Sequence, residues 1–318
     1  ERLSARGSEF ERIYLRRITV LTGLGFLHLF GWFAWDILHL YGLMAFVLFF
    51  TRRLPDDALL WIGIALFLFS RPVTEWLILQ NDTLAAISEA AYTEAAILER
   101  QSAALSGDFF TWVSAMNHMT MLEWFLGGFI LAWFTYTLGR FYIGAWIARK
   151  GWVQNPEDYL GLVKALVLPL LVSGLVLEAA ALTIQDAPAG SWGSASLVPE
   201  LMSDFATPLI TGGYVCLLTL VFFSARLRWL VRPFAPVGQM ALTNYLVQSP
   251  FIIWVLCGFG PGLGLAGQAG STDLTLIASA FFIAQVIFSH VWMRRYQYGP
   301  AEWAWRALTY QTWPQLRR

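Results

Sequence analysis

Charge is scarce in this chain. Only 13% of its 318 residues are charged, whereas 57% are hydrophobic. A soluble domain carries about 25% charged residues, so a water-soluble fold of this composition would leave a large apolar surface uncovered. The scarcity of charge therefore excludes an ordinary soluble globular protein and indicates an integral membrane protein.

Cysteine and net charge are lacking too. The chain has two cysteines, Cys216 and Cys257, and both lie inside apolar blocks, where a thiol behaves as a small hydrophobic side chain. We therefore expect neither a disulfide framework nor a metal site. The formal net charge is zero, which excludes the basic footprint of a nucleic-acid-binding protein.

The sequence is dominated instead by long apolar blocks. A membrane span needs about 20 apolar residues, and about eight blocks approach that length, at 18–35, 37–51, 58–79, 118–147, 160–184, 205–225, 237–257 and 273–293. They predict an all-α polytopic membrane helix bundle that forms one domain over residues 1–318. Because the second block is short, we expect residues 33–42 to dip into the membrane and not to cross it cleanly.

The loops between these blocks alternate in charge. Basic loops hold Arg12, Arg16, Arg17, Arg52, Arg53, Arg149, Lys150, Arg226, Arg228, Arg232, Arg294 and Arg295; the intervening loops hold Asp82, Glu89, Glu94, Glu99, Asp108, Asp186, Glu200 and Asp204. Basic loops stay on the cytoplasmic side of a membrane. We therefore predict a multi-pass protein of the bacterial inner membrane with both termini in the cytoplasm.

Three segments between or beside the blocks have distinct compositions. Residues 1–17 are basic and predict a cytosolic helix that leads into the membrane. Residues 81–117 are rich in Ala, Glu and Leu, which predicts an amphipathic helix at the outer surface. Residues 295–318 are aromatic and basic, which predicts a cytosolic interfacial helix in contact with membrane lipids.

Ionisable side chains inside the blocks are candidates for function, because a charge at the bilayer centre costs about 2.5–3.5 kcal/mol. They are His28, Asp36, His39, Arg71, Glu75, Glu123, Arg140, Glu178 and His290. His28 lies near mid-membrane and is either a general base or a neutral ring bonded to a carbonyl. Asp36 either caps the next helix or orients a histidine. A straight helix would separate these two residues by about 12 Å, so their contact requires a bend near residues 33–36.

The remaining polar residues form pairs or lie at the ends of blocks. Arg71 and Glu75 are four residues apart, which predicts an ion pair that could also line a polar cavity. Asn244 and Gln248 share the same spacing and either join helices or line a substrate path, with His290 expected beside them. His118 lies at the outer end of its block and either is merely exposed or borders the acceptor side.

Three stretches together resemble one family. LRRITVLTGLGFLHLFGWFAWDILHLYG is similar to its G-x-x-H…D-I-L-x-x-Y-G segment, MALTNYLVQS to its M-A-L-T-N-Y-L-x-Q-S/T signature, and RRYQYGPAEWAWRALTY to its terminal G-P-x-E-W-x-W-R-x-L-T. The family is the YeiB-like bacterial membrane proteins, whose conserved domain is numbered 418 among those of unknown function. It is grouped with transmembrane acyltransferases, which move an acyl group from cytosolic acyl-CoA to an acceptor across the membrane.

The resemblance implies a reaction and a set of sites. Acyl-CoA would be the donor, with its phosphates on Arg226, Arg228, Arg232, Arg294 and Arg295; guanidinium groups bind phosphate well. The acyl chain would pass Asn244, Gln248 and His290, and a sugar, glycan or lipid acceptor would approach near His118. His28 would remove the acceptor's proton, directly or through an acyl-histidine, with Asp36 supporting the imidazolium.

Departures from the family pattern keep two other functions open. Family members have one or two further N-terminal spans, Gln239 stands where the family has arginine, and Trp35 where it usually has glycine. An accessory or scaffold subunit of a larger membrane complex or homo-oligomer is the first alternative. The second is a transporter of small anions or lipids with Arg71 and Glu75 in its path.

Overall fold

The structure, a computed structural model, describes residues 8–90, 92–185 and 197–318. Most of these residues are helical, and they contain no β-strand, only one isolated bridge between Tyr296 and Arg317. The helices are α1 Ser8–Gly31, α2 Leu38–Phe50, α3 Asp56–Leu79, α4 Asp82–Ala90, α5 Glu94–Leu105, α6 Phe109–Thr120, α7 Phe129–Arg149, α8 Leu160–Gln185, α9 Leu197–Phe223, α10 Ala235–Gln239, α11 Ala241–Leu256, α12 Ser271–Arg295 and α13 Pro300–Tyr310.

Five helices in the described residues are long and apolar enough to cross a membrane, namely α1, α3, α8, α9 and α12. A sixth span is formed if α6 and α7 count as one, although they are bent by 73° at a break. The break follows a π-helical turn, Met121–Leu126. It contains Gly128 at a φ of 78°, a left-handed backbone conformation that favours glycine. The chain is thus a helical membrane protein.

Two further apolar helices, α2 and α11, are shorter, with 13 and 16 residues. At 1.5 Å per residue, α2 spans about 20 Å, less than the ~30 Å hydrocarbon core. The predicted blocks therefore all correspond to helices, and the total of about eight full spans stays a prediction. The expectation that residues 33–42 dip into the membrane likewise stays a prediction.

Basic side chains gather at one end of the bundle, which we call the basic end. Arg52 pairs there with Glu11 (2.5 Å), and Arg149 and Lys150 both pair with Asp56 (3.1 and 2.9 Å). α13 packs on the start of α1, with the indole of Trp305 donating to the Arg17 carbonyl (3.1 Å). The first and last described helices therefore meet at the basic end, as the alternating loop charges predict. Which side of the membrane this end faces stays a prediction.

The second and third family-like motifs dock on each other. The Glu302 carboxylate of α13 accepts hydrogen bonds from the backbone N–H of Leu242 and Thr243 (2.6 and 3.1 Å) and from the Thr243 hydroxyl (2.5 Å). An acidic side chain from another helix thus caps the N-terminus of α11, where backbone N–H groups lack partners. Docking fixes α13 beside the start of the helix that carries the MALTNYLVQS motif.

Two predicted helices have different bounds in the structure. The 81–117 segment is not one amphipathic helix: it divides into α4, α5 and the start of α6, because Thr93 and Asp108 each accept hydrogen bonds from the following helix turn and cap new helices. The 295–318 helix is limited to Pro300–Tyr310, since α12 continues to Arg295 and the residues after Gln311 are not helical. Helix α1 confirms the helical part of the basic segment from Ser8 onward. Residues 1–7 of that segment, residue 91 of the 81–117 segment and the loop residue Asp186 lie outside the described residues.

Helices α8 and α9 form an antiparallel hairpin at the periphery. It joins α3 through the Arg71–Asp204 ion pair (3.2 Å) and an edge contact between the rings of Phe69 and Phe205. The predicted Arg71–Glu75 pair is confirmed at 2.9 Å. Arg71 therefore attaches the hairpin to the bundle.

Candidate functional site

A glycine contact brings the site together. α1 and α2 pack antiparallel and so closely that a Cβ on Gly25 would lie 2.1 Å from the His39 backbone nitrogen, and a Cβ on Gly42 2.0 Å from the Thr22 hydroxyl. The chain reverses between them through residues 32–37. This reversal is the bend that contact between His28 and Asp36 requires. It brings Asp36 back against His28.

Asp36 is the centre of a buried polar cluster. Its Oδ1 accepts from His28 Nδ1 (2.6 Å) and from the Tyr245 hydroxyl (3.0 Å). Its Oδ2 accepts from the ring Nδ1 and the backbone N–H of His39 (2.8 and 2.9 Å). Four donors fill the acceptor capacity of the carboxylate, so the alternatives of helix cap and histidine partner are both realised in this one side chain.

His28 connects Asp36 to a serine. With Nδ1 donating its proton to the carboxylate, the neutral ring presents Nε2 as an acceptor, and the Ser249 hydroxyl lies 2.5 Å from that atom. Serine, histidine and aspartate therefore stand in one hydrogen-bonded line. The same order of groups activates the serine nucleophile on several unrelated folds.

The cluster is enclosed by protein. Asp36, His28, His39 and Ser249 are each at most 2% exposed. The rings of Trp32, Phe33 and Tyr245 pack around the His28 imidazole with centroids 5.3–5.4 Å away. Burying this many polar groups in an apolar bundle is costly unless they are bonded to each other, and here three of the four imidazole nitrogens of His28 and His39 are bonded. The exception is His39 Nε2, which has no partner among the described residues.

A cavity of about 580 Å³ lies between the cluster and the basic end. Helices α1, α2, α10, α11 and α13 form its walls, and Ile37 and Tyr245 are part of its lining. Tyr245 links the two features, because its ring lines the cavity while its hydroxyl donates to Asp36 and accepts from the Ile37 N–H (3.1 Å). Arg17, Arg306 and Gln239 also line this cavity.

Asn244 and Gln248 face protein, as expected of amides in hydrocarbon. Asn244 donates to the Ser289 hydroxyl (3.1 Å), and Gln248 donates to the Gln285 side chain (3.1 Å). They join α11 to α12. Gln248 and Gln285 also border an apolar cavity of about 450 Å³ between these helices. His290, predicted beside them, instead contacts the Pro233 carbonyl (2.9 Å), because the preceding residue on α12, Ser289, occupies the helix face that meets Asn244.

Other predicted site residues lie away from the cluster. His118 is 59% exposed, 3.9 Å from Glu99, and borders a cavity of about 280 Å³ beside α5. Arg71 and Glu75 pair with each other beside the α8–α9 hairpin. The arginines predicted to hold phosphate are exposed, and none of them lines the cavity beside Tyr245: Arg226, Arg228, Arg232, Arg294 and Arg295.

Metal binding is not what the cluster is arranged for. Histidine and aspartate are metal-ligating residue types, but the two imidazoles direct their Nδ1 atoms at different oxygens of Asp36. In the described part of the chain, no group of three such side chains surrounds a common point.

Ser249, His39 and Tyr245 were not assigned roles from the sequence. Ser249 and Tyr245 lie inside the MALTNYLVQS motif, and His39 inside the D-I-L segment, so the motifs do mark them. A serine in an apolar helix gives no other signal, because it often bonds to its own helix. Trp35, one of the departures from the family pattern, is exposed and lies outside the cluster.

Comparison with known proteins assigns the chain to a protein family. A family model described as a protein of unknown function (DUF418) matches residues 147–312, more than half of the sequence. The chain belongs to the DUF418 family. This matched region holds Ser249, Tyr245 and α13, whereas α1 and α2 precede it.

Two relatives extend the similarity over the whole DUF418 chain. It is 28% identical to the uncharacterized protein YxaH of Bacillus subtilis (strain 168), over all of this chain and 77% of that protein. It is 26% identical to the uncharacterized protein YeiB of Escherichia coli (strain K12), over 92% of this chain and 74% of that protein. No solved structure matches the chain.

Proposed function

We propose that this DUF418 protein is a membrane acyltransferase in which Ser249 carries the acyl group. The observation that supports this is the line of hydrogen bonds from the Ser249 hydroxyl through His28 to Asp36 (2.5 and 2.6 Å). An acyl thioester such as acyl-CoA would be the donor and would approach from the basic end, which the positive-inside rule assigns to the cytoplasm of the inner membrane. A hydroxyl or amine of a sugar, glycan or lipid would be the acceptor.

The proposed chemistry has two half-reactions. In the first, His28 Nε2 takes the proton of the Ser249 hydroxyl while Oγ attacks the thioester carbonyl; the C–O bond forms, the C–S bond breaks, and His28 returns the proton to the departing thiolate. In the second, His28 takes the acceptor's proton as the acceptor attacks the acyl-serine, and Ser249 leaves with that proton. Asp36 holds the imidazole in the required tautomer throughout.

Covalent labelling tests the assignment without a known acceptor. The purified protein in lipid nanodiscs is treated with a fluorescent alkyl fluorophosphonate, which phosphonylates activated serines, and with radiolabelled acetyl-CoA. We expect both reagents to label the wild type and neither to label Ser249→Ala. Ser70→Ala is the matched control, because Ser70 is also buried but donates to the Leu66 carbonyl of its own helix. Equal labelling of the wild type and Ser249→Ala contradicts the proposal.

A non-catalytic subunit of a larger membrane complex or homo-oligomer is the second candidate. It is supported by the complete enclosure of the cluster and by the α8–α9 hairpin, whose exposed faces are apolar. In that case His28, Asp36 and Ser249 only fasten α1 to α11. The protein would then show no labelling of Ser249, and crosslinking in native membranes would place a partner chain on the hairpin.

A further inference from the structure

Two guanidinium groups in the cavity beside Tyr245 have no carboxylate partner among the described residues. Arg17 lies on α1 with its guanidinium stacked on the Trp305 ring (4.4 Å), and Arg306 lies on α13 with its guanidinium over the Tyr298 ring (4.6 Å). Both side chains are exposed and both line the cavity. Ring stacking orients a guanidinium but leaves its N–H groups available to an anion.

The single carboxylate of the cavity lining does not neutralise them. Glu302 directs its two oxygens to the N-terminus of α11, where they accept from Leu242 and Thr243 at 2.5–3.1 Å. Through these bonds the Glu302 carboxylate holds α13 against the start of α11. Two guanidinium groups and one carboxylate give the lining a net formal charge of +1.

Apolar side chains also line the cavity, and Tyr245 connects it to the cluster. Leu21, Leu38 and Leu242 belong to the same lining as the arginines and Tyr245, and the Tyr245 hydroxyl donates to Asp36. On α1 the lining consists of Arg17 and Leu21, one helix turn apart, and His28 lies seven residues beyond Leu21, about 10 Å further along the helix. Its volume of about 580 Å³ is in the range of small-molecule sites.

We propose that this cavity binds a phosphate-bearing amphiphile, with the phosphate on Arg17 and Arg306 and the apolar part directed toward Tyr245. Two sources have this chemistry: a soluble CoA thioester and an anionic phospholipid. The proposal identifies where the acyl donor of the acyltransferase reaction binds. It rests on the proposed function for what then happens to the acyl group. Binding of the phosphate, in contrast, can be measured without any turnover.

Binding to protein purified in detergent is measured by calorimetry with acetyl-CoA, and with dioleoylphosphatidylglycerol in mixed micelles as the lipid arm. We expect one of the two to bind, and Arg17→Gln with Arg306→Gln to raise its Kd by about tenfold or more, since hydrogen bonds to charged groups are the strong ones. Arg12→Gln with Arg53→Gln is the matched control, because both are exposed arginines outside the cavity lining. Arg17→Lys with Arg306→Lys keeps the charge if the first variant does not fold.

A substitution of Gln239 should increase the affinity of the same cavity for its ligand. It lines the cavity together with Arg17 and Arg306, so Gln239→Arg adds a third guanidinium and we expect it to lower the Kd. Ser249→Ala should bind with unchanged affinity, which separates the binding site from the proposed chemistry. Binding of neither ligand, or equal losses in the Arg12 and Arg53 variant, overturns the proposal.

Discussion

His28 and His39 hold the same carboxylate from two sides. The Nδ1 atom of His28 lies 2.6 Å from Oδ1 of Asp36, and that of His39 lies 2.8 Å from Oδ2. Only His28 continues to a hydroxyl, since its Nε2 meets Ser249, whereas His39 Nε2 has no partner in the described structure and lies near the rings of Phe26 and Trp124. The two histidines therefore have different expected roles.

The first prediction separates these roles. His28→Ala removes the base and should lower the rate of fluorophosphonate labelling of Ser249 by about 10²-fold or more. His39→Ala should lower it by a smaller factor, because Asp36 keeps its bond to His28. His39→Asn should restore most of the rate, since its amide N–H can replace Nδ1 as the donor to Asp36. Equal labelling rates in the wild type and in His28→Ala would show that another residue is the base.

The second prediction concerns the carboxylate itself. Asp36→Asn presents one N–H₂ group to partners that are all donors, so one imidazole must change tautomer or lose its bond. If that ring is His28, its Nε2 carries a proton and cannot accept from Ser249. We expect labelling and acyl transfer to fall by about 10²-fold or more, with the protein still monodisperse in size-exclusion chromatography. Full activity of Asp36→Asn would show that the carboxylate has a packing role only.

Part of this site could be predicted from the sequence. Depth in the membrane and titrating chemistry identified His28 and Asp36, and the short second block indicated the bend that joins them. The amides Asn244 and Gln248 were expected to face protein, because hydrocarbon offers them no partners, and they bond to Ser289 and Gln285.

The remainder depends on contacts between distant segments. Ser249 is 221 residues from His28, and a serine in an apolar helix has no signal of its own. The arginines proposed to bind phosphate could not be chosen from composition, because basic residues occur in every loop that the positive-inside rule assigns to the cytoplasm. The structure brings Arg17 to Arg306 by docking α13 on α1, a packing event that no local pattern encodes. The break at Thr93 was likewise hidden within an Ala-rich run, whereas the break at Asp108 follows a Ser-Gly pair that marks a turn in the sequence.

The third prediction tests the close packing of α1 on α2. Gly25→Ala places a Cβ against the His39 backbone, so the helices must separate, and we expect overpacking to cost about 1–3 kcal/mol. Gly23→Ala, on the same helix, meets nothing within 4 Å and should be neutral or slightly stabilising. Thermal unfolding followed by tryptophan fluorescence compares the two. A lower midpoint for Gly25→Ala alone, accompanied by slower Ser249 labelling, is the expected result.

The fourth prediction concerns orientation. Ser106, at the end of α5, and Gln154, beside Lys150 at the basic end, are exposed residues at opposite ends of the bundle. Each is changed to cysteine in a Cys216→Ser background, in which the remaining Cys257 is buried. Because basic loops remain in the cytoplasm, a membrane-impermeant maleimide added to intact cells should label Ser106→Cys and spare Gln154→Cys.

Disruption of the cells supplies the control for this experiment, since both cysteines should then react. Labelling of Gln154→Cys in intact cells would show that the orientation is the reverse of the predicted one. Arg17 and Arg306 would then lie at the outer face. A cytosolic acyl-CoA could not reach them there, so the donor would have to be a phospholipid of the outer leaflet. The reversed labelling pattern would thus exclude acyl-CoA as the ligand independently of the binding measurements.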